Sequence, residues 1–273
     1  MGFVAAACCV LTPALLMSSS KARPANSWSV QIAHELASAV TRPAPSGIRK
    51  NEFYFTRAIY SSGGMRGFGR RRGGSWDTDY PKADNQFLSV LGRLARELDS
   101  NPNDHAMELD DPELRKFPFV YAVEVGYMGL SDREVTSLRD FLLAGGFLIV
   151  DDFWGTYEWA NFEENIRRVL PEYDIVDLPM SHPIFHAYYQ IEKVLQVPSI
   201  SRGCGGGPYY ERDGYVPAVK AIFNERGRML VLISWNSDLG DAWEWMEQAC
   251  YPLQMSTYAY QIAVNTIVYA MSH

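Results

Sequence analysis

The 273-residue chain has little cysteine, no excess of positive charge and no apolar run long enough to span a bilayer. Its four cysteines lack the paired C-x-x-C spacing of structural zinc sites, and they are too few for a disulfide framework. The formal net charge of -7 disfavours a general nucleic-acid binder, because phosphate affinity comes from clustered Lys and Arg. We therefore expect no nucleic-acid partner and no transmembrane span beyond the N-terminal leader.

The N-terminal leader has the order of segments found in a secretory signal peptide. An uncharged apolar stretch at residues 3–17, too short for a transmembrane helix, is followed by the small and polar segment SSSKARPANS. Residues 1–25 are therefore predicted to be a signal peptide, and the protein to be exported to the periplasm or beyond. No Lys or Arg precedes the apolar stretch, so an uncleaved membrane anchor and a cytoplasmic protein remain alternatives. Residues 26–50 are typical of a linker or N-terminal arm, and the domain is predicted over 51–273.

Cleavage of the leader would leave two cysteines, Cys204 and Cys250. They can form a bridge in an oxidising compartment or remain unpaired thiols, and their spacing does not decide between the two. Cys204 lies in a GCGGG segment without the sharp strand-to-helix turn or basic neighbour that activates a nucleophilic cysteine. We therefore do not expect a catalytic thiol.

Strand and helix patterns alternate through the predicted domain. Ser131 and Glu134 form a capping box before one helical pattern, which ends at a double glycine. The run FLIVDD that follows is the continuous apolar sequence of a strand buried on both faces. Strands are predicted over residues 53–60, 105–110, 117–125, 147–152, 173–179, 217–224 and 229–236, and helices over 83–99, 131–146, 159–170 and 256–270. The alternation predicts an α/β three-layer sandwich with helices on both faces of a mostly parallel sheet, and the last two strands predict a late β-hairpin.

Acidic residues follow the two most apolar strands directly. Asp151 and Asp152 end the first of them, and Asn236, Asp238 and Asp241 follow the second. The carboxyl ends of parallel strands emerge at one edge of an open sheet, and ligands bind there. Since adjacent strand residues point to opposite faces, we expect one of Asp151 and Asp152 to face the crevice. The alternative is that these side chains only cap the helices that follow.

A further acidic segment, WDTDYPKAD, precedes the first helix of the domain. Asp84 is placed to cap that helix, which leaves Asp77 and Asp79 free to join the other acids. Several carboxylates at one rim would raise one another's pKa values and set a general acid beside a general base, as glycoside hydrolysis requires. Trp154 and Trp243 follow these acids and offer flat faces on which a sugar ring can stack, although tryptophans also build packed corners.

Two other segments suggest ligands. His182 and His186 in SHPIFH are four residues apart, a spacing used by metal sites, although Pro183 favours one capping and one packing histidine instead. A glycine-rich segment carries four arginines, Arg66, Arg70, Arg71 and Arg72. It can close over an anionic ligand or be a solvated insertion.

Five segments together resemble the domain of unknown function 4159 family. They are WDTDYPKAD, LSDREVTSLRDFLLAGGFLIVDDFWG, HPIFHAYY, ERDG and NSDLGDAWEW with the terminal helix, and the resemblance covers residues 51–273. It implies a class I glutamine amidotransferase-like domain with a flavodoxin-like sheet, and it implies no activity. The amidotransferase reaction is not expected, because no cysteine follows the strand at 117–125.

Three functions are compatible with these patterns. The first is a non-catalytic ligand-binding or interaction module of the cell envelope, whose partner is a polar small molecule, a carbohydrate or an envelope protein. The second is a carboxylate-dependent hydrolase of a carbohydrate or related substrate, and the third is an enzyme whose divalent metal is held by the two histidines and an aspartate; no other cofactor is expected. The candidate residues are Asp79, Asp151, Asp152, Asp238 and Asp241 for catalysis, and Asp77, Trp154, His182, His186, Asn236 and Trp243 for ligand binding.

Overall fold

The apolar strand patterns pair into one seven-stranded sheet in the computed structural model, which describes residues 52–62 and 75–273. The predicted signal peptide, the linker and the four arginines of the glycine-rich segment lie outside the described residues. The strands are β1 (Thr56–Ile59), β2 (His105–Glu108), β3 (Phe119–Val123), β4 (Phe147–Asp151), β5 (Ile175–Asp177), β6 (Ala218–Phe223) and β7 (Met229–Trp235).

The strand order across the sheet is β2-β1-β3-β4-β7-β6-β5. The first five strands in this order are parallel, whereas β6 is antiparallel to both β7 and β5. The order of the parallel part is that of a flavodoxin-like sheet. The predicted hairpin is confirmed, because β6 and β7 are joined by a short turn that the Asn224 amide closes by donating to the Arg228 carbonyl at 2.9 Å.

Helices cover both faces of the sheet, which confirms the predicted three-layer sandwich. They are α1 (Lys82–Leu94), α2 (Asp132–Leu143), α3 (Gly155–Val169), α4 (Ile200–Gly205), α5 (Leu239–Glu244) and α6 (Leu253–Ser272). Side chains alternate along each strand, so Tyr121 of β3 packs with Phe87 of α1 and Trp243 of α5, while Val120 packs on the opposite face with Phe162 of α3. The α1, α5 and α6 layer therefore lies on one face and the α2 and α3 layer on the other.

Local sequence signals predicted the cap of one helix correctly and the cap of another incorrectly. The capping box of α2 is present, since Ser131 Oγ accepts from the Glu134 amide at 3.3 Å and Glu134 Oε2 accepts from the Ser131 amide at 2.7 Å. The prediction that Asp84 caps α1 is wrong. Asp84 is fully buried and forms an ion pair with Arg57 of β1, which is also fully buried.

The two cysteines of the described residues are joined. Cys204 and Cys250 form a disulfide, with their Cα atoms 4.9 Å apart, that links α4 to the turn before α6. The alternative of two free thiols is therefore wrong. In the part of the chain that is described, no helix combines the length and the apolar character needed to cross a membrane.

Candidate functional site

Five carboxylates from three segments meet beyond the carboxyl ends of β4 and β7. Carboxylate oxygens of Asp79, Asp152 and Asp238 lie within 4.8 Å of one another, and those of Asp79, Asp241 and Glu244 do the same. We refer to these five residues as the carboxylate cluster. Asp79 belongs to both groups of three, so the two groups are continuous.

The sheet topology explains the convergence. β4 and β7 are parallel neighbours, so the segments that follow them leave the sheet at the same edge. There the Asp152 amide donates to the Ser237 carbonyl, and the Asn236 amide donates to the Phe153 carbonyl, each at 3.1 Å. These two hydrogen bonds join the segment that carries Asp152 to the segment that leads into α5.

Asp79 reaches the cluster over a glycine. A Cβ atom placed on Gly240 of α5 would lie 2.6 Å from Asp79 Oδ2 and 3.3 Å from the Tyr121 hydroxyl. Only glycine at position 240 therefore allows Asp79 this close approach to α5. Asp79 Oδ2 is shielded from solvent and accepts no hydrogen bond from a donor of the described residues, and a hydrogen bond between the Asp79 and Glu244 carboxyls requires a proton on one of them.

Asp151 lies in the interior beside the cluster and holds the N-terminus of α5 in place. Its Oδ2 accepts hydrogen bonds from the amides of Leu239 and Gly240, at 2.7 and 3.3 Å, and from the Tyr121 hydroxyl at 3.1 Å. The carboxylate thus binds the N-terminus of α5, where amides are free and the helix dipole favours negative charge. Asp151 is 0% exposed, and burial raises its pKa to about 7 in spite of these hydrogen bonds. Its place in the interior makes it a positioning residue.

The backbone is strained at this edge. Asp79, Asp152 and Asn236 have φ angles of 62°, 52° and 59°, and Glu124 and Arg212 have 52° and 50°. This left-handed conformation is unfavourable for residues other than glycine, although Asp and Asn tolerate it better than most. Such conformations persist where the surrounding structure holds them, and they concentrate at functional sites.

Among the described residues, the cluster carries more negative charge than its neighbours offset. Burial, reinforced by neighbouring carboxylates, raises the pKa values of Asp79, Asp152 and Asp238 well above the usual range. Burial also raises the pKa values of Asp241 and Glu244. Lys82 lies 3.8 Å from Glu244.

The cationic neighbours of the cluster that the structure describes are already engaged. Arg57 donates to Asp84 from Nε at 3.3 Å, and its Nη1 donates to the Thr78 carbonyl at 3.2 Å. Arg57 is fully buried and bonded to Asp84, so its positive charge is offset mainly by Asp84 and less by the carboxylate cluster. Within the described part of the chain, the remaining charge of the cluster therefore calls for a cation or a set of protons.

Two of the predicted ligand-binding side chains have structural roles. Asn236 is 2% exposed, and its Oδ1 accepts from the Gly155 amide at 2.8 Å while its Nδ2 donates to the Val216 carbonyl at 2.7 Å. It therefore fixes the start of α3. Trp243 is fully buried against Phe87, so the interpretation of an exposed stacking face at Trp243 is wrong.

Of the other two predicted ligand-binding residues at this edge, Trp154 contacts the cluster and Asp77 is not one of its members. Trp154 is buried, and its Nε1 donates to Asp152 Oδ1 at 3.0 Å, so it orients a member of the cluster. Asp77 ends a short 3-10 helix, Ser75–Asp77, and belongs to neither group of three carboxylates.

The histidines lie at the opposite edge of the sheet. The His182 ring packs 5.8 Å from that of Phe223, which pairs with Met229 at the beginning of β7, whereas the carboxylate cluster lies beyond the end of β7. His182 Nδ1 accepts from the Ile184 amide at 3.3 Å, and His186 Nε2 is 2.8 Å from the Met180 carbonyl. Burial lowers the pKa of His182. The histidines therefore share no metal site with the carboxylate cluster, and among the described residues no group of three possible metal ligands includes a histidine.

Glu244 and Gly240 belong to the site but were not predicted from the sequence. Asp238, Asp241 and Glu244 recur at intervals of three residues, and this spacing places them on one face of a helix. That signal was available in NSDLGDAWEW. The role of Gly240 had no local signal, because it depends on the approach of Asp79 from a distant segment.

Comparison with known proteins gives a family. Residues 64–271, about three quarters of the chain, match the family described as Domain of unknown function (DUF4159). Comparison with curated proteins gives no match.

Proposed function

We propose that this chain, which belongs to the domain of unknown function (DUF4159) family, is an exported, non-catalytic binding domain of the cell envelope. Its carboxylate cluster holds a hard divalent cation, Ca²⁺ or Mg²⁺, which in turn binds a polar ligand. The observation that carries this proposal is the meeting of five carboxylates in two groups of three that share Asp79. Carboxylate oxygens are the ligands that both cations take.

The spacing of the oxygens supports a cation. Calcium–oxygen distances of about 2.3–2.6 Å place ligands on opposite sides of the ion about 5 Å apart. The oxygens of each group lie within 4.8 Å of one another, so one ion can contact all three. Asp79 Oδ2 is shielded from solvent and no donor of the described residues reaches it, and a buried acceptor of this kind needs a cation or a proton.

The same crowding favours binding over hydrolysis. Glycoside hydrolases keep their two carboxyl groups about 5–5.5 Å apart when one of them attacks the sugar, or about 6.5–9.5 Å apart when a water must fit as well. Asp152 and Asp238 are only 8% and 3% exposed, and their closest oxygens are nearer than that. An ion fits between them more readily than a sugar ring does.

Export and fold family complete the proposal. The Cys204–Cys250 disulfide supports an oxidising compartment, in agreement with the leader sequence at residues 1–25. The order of the parallel strands supports the class I glutamine amidotransferase-like fold that the sequence resemblance implies. Neither export nor this fold depends on a catalytic cysteine.

The test is cation titration of the purified protein after dialysis against EDTA. Isothermal titration calorimetry at pH 8 with CaCl₂ and with MgCl₂ should give saturable binding of at least one ion. Thermal unfolding should shift upward with cation concentration, since a ligand at 100 times its Kd stabilises by about 2.7 kcal/mol. Asp152→Asn and Asp238→Asn should each abolish or severely weaken binding.

Asp177→Asn is the matched control. Asp177 lies on the edge strand β5, is 77% exposed, and pairs with Lys220, so the same charge change there should leave cation binding unchanged. The proposal is refuted if neither ion gives heat or a thermal shift at concentrations up to about 10 mM. This concentration exceeds the dissociation constants of the weakest extracellular calcium modules.

A further inference from the structure

A group of apolar side chains is exposed near the N-terminus of α3. Tyr157, Tyr215 and Val216 are 58%, 62% and 69% exposed. The Tyr210 ring packs edge-on against Tyr215, with centroids 4.7 Å apart and planes at 73°. We call these four residues the aromatic shelf. Exposed apolar groups that lie together in this way mark binding surfaces more often than isolated ones do.

The shelf is held in place by buried and polar anchors. Asp213 accepts from the Thr156 amide at 3.0 Å and from the Thr156 hydroxyl at 2.6 Å, which joins the segment of Tyr215 to the segment of Tyr157. Asn236 Nδ2 donates to the Val216 carbonyl at 2.7 Å. A surface whose segments are held in place before binding loses less conformational entropy when a ligand arrives.

The same segments support the carboxylate cluster. The Ser199 hydroxyl donates to Glu211 at 2.6 Å, and the amide of the next residue, Ile200, donates to Asp241 of the cluster at 2.5 Å. Glu211 precedes Tyr215 by four residues, and Asn236 precedes Asp238 by two. The segments that carry the shelf and the cluster are therefore neighbours at the carboxyl edge of the sheet.

The charge of this surface selects among ligands. One divalent cation offsets only part of the charge of the five carboxylates, and Glu211 adds a further carboxylate beside Asp241. Arg212, a described cationic side chain of this surface, is paired with Glu158, so the carboxylates disfavour an anionic ligand, whereas a neutral sugar offers hydroxyl groups to the cation and the carboxylates. The C–H face of its ring can stack on tyrosine.

We infer that the ligand is a neutral carbohydrate, which stacks on Tyr157 and Tyr215 while its hydroxyl groups contact the cation. This inference rests on the proposed cation site. It adds the ligand class and the residues that recognise it.

The experiment uses the calcium-loaded protein and soluble polysaccharides. Native gel electrophoresis through mannan, dextran or xylan should retard the protein in at least one gel, and polygalacturonate should not. EDTA should abolish the retardation. Tyr157→Ala and Tyr215→Ala should each raise the Kd, measured by calorimetry, about tenfold, as expected for the loss of one aromatic contact.

Tyr188→Ala is the control. Tyr188 is 47% exposed, and its hydroxyl donates to the Leu94 carbonyl at the end of α1, away from the shelf. Its substitution should not change the Kd for the polysaccharide.

Calcium titration of every variant separates the two proposals. Normal calcium binding with weakened polysaccharide binding in the shelf variants supports the inference. Normal calcium binding with no retardation by any neutral polysaccharide overturns the carbohydrate inference alone, as does retardation that survives both shelf substitutions or EDTA. A wild-type protein that binds no cation overturns both proposals.

Discussion

Asp151→Asn should stabilise the cation-free protein at pH 8 and have little effect near pH 4. Asp151 is fully buried beneath the cluster, and burial raises its pKa to about 7. The amide oxygen of asparagine can accept the hydrogen bonds that Asp151 Oδ2 takes from Leu239 and Tyr121. The substitution therefore removes the ionisation and keeps the support of α5.

The magnitude follows from the difference in pKa between the two states. An aspartate in the unfolded chain has a pKa of about 3.9. Between that value and about 7 the folded protein retains a proton that the unfolded chain releases, so the free energy of unfolding falls as pH rises through this window. Each pKa unit corresponds to about 1.4 kcal/mol, which makes the loss at Asp151 about 4 kcal/mol by pH 8. The asparagine side chain of the variant does not titrate, so the variant should lack this loss.

Urea unfolding in EDTA at pH 4, 6 and 8, without reductant, measures the effect. The difference in unfolding free energy between variant and wild type should grow from near zero at pH 4 to about 4 kcal/mol at pH 8. Asp177→Asn should show no such growth, because Asp177 is 77% exposed. Parallel stability profiles of wild type and Asp151→Asn across this range would refute the reasoning.

Two further substitutions test the architecture around the cluster. Gly240→Ala should weaken cation binding at least about tenfold in calorimetry, because the added Cβ would lie 2.6 Å from Asp79 Oδ2 and displace that carboxylate; an unchanged Kd would contradict the assignment of Asp79 as a ligand. Arg57→Met should lower the free energy of unfolding by about 3–5 kcal/mol in urea, because it leaves Asp84 buried without its partner. A loss below about 1 kcal/mol would show that the ion pair is dispensable.

The start of a helix can be predicted from sequence when the residues that cap it are close to it in the chain. The start of α2 was predictable because Ser131 and Glu134 are three residues apart and satisfy each other's amides. The start of α3 was predicted at residue 159 but lies at Gly155. Its first amides are satisfied by Asn236 and by the 211–216 segment, partners that are distant in sequence and invisible to local pattern.

Sequence alone determined the alternation of strands and helices, the late hairpin, and the placement of Asp151, Asp152, Asp238 and Asp241 after buried strands. Those features follow from hydrophobic periodicity and local turns, which act over a few residues. Tertiary structure alone decided which chemical groups share an edge. The strand order β3-β4-β7 brings the acids together, while the reversal of β6 leaves His182 at the far edge and the packing of α5 buries Trp243. Such proximity depends on how the chain crosses the sheet, and no local spacing encodes that path.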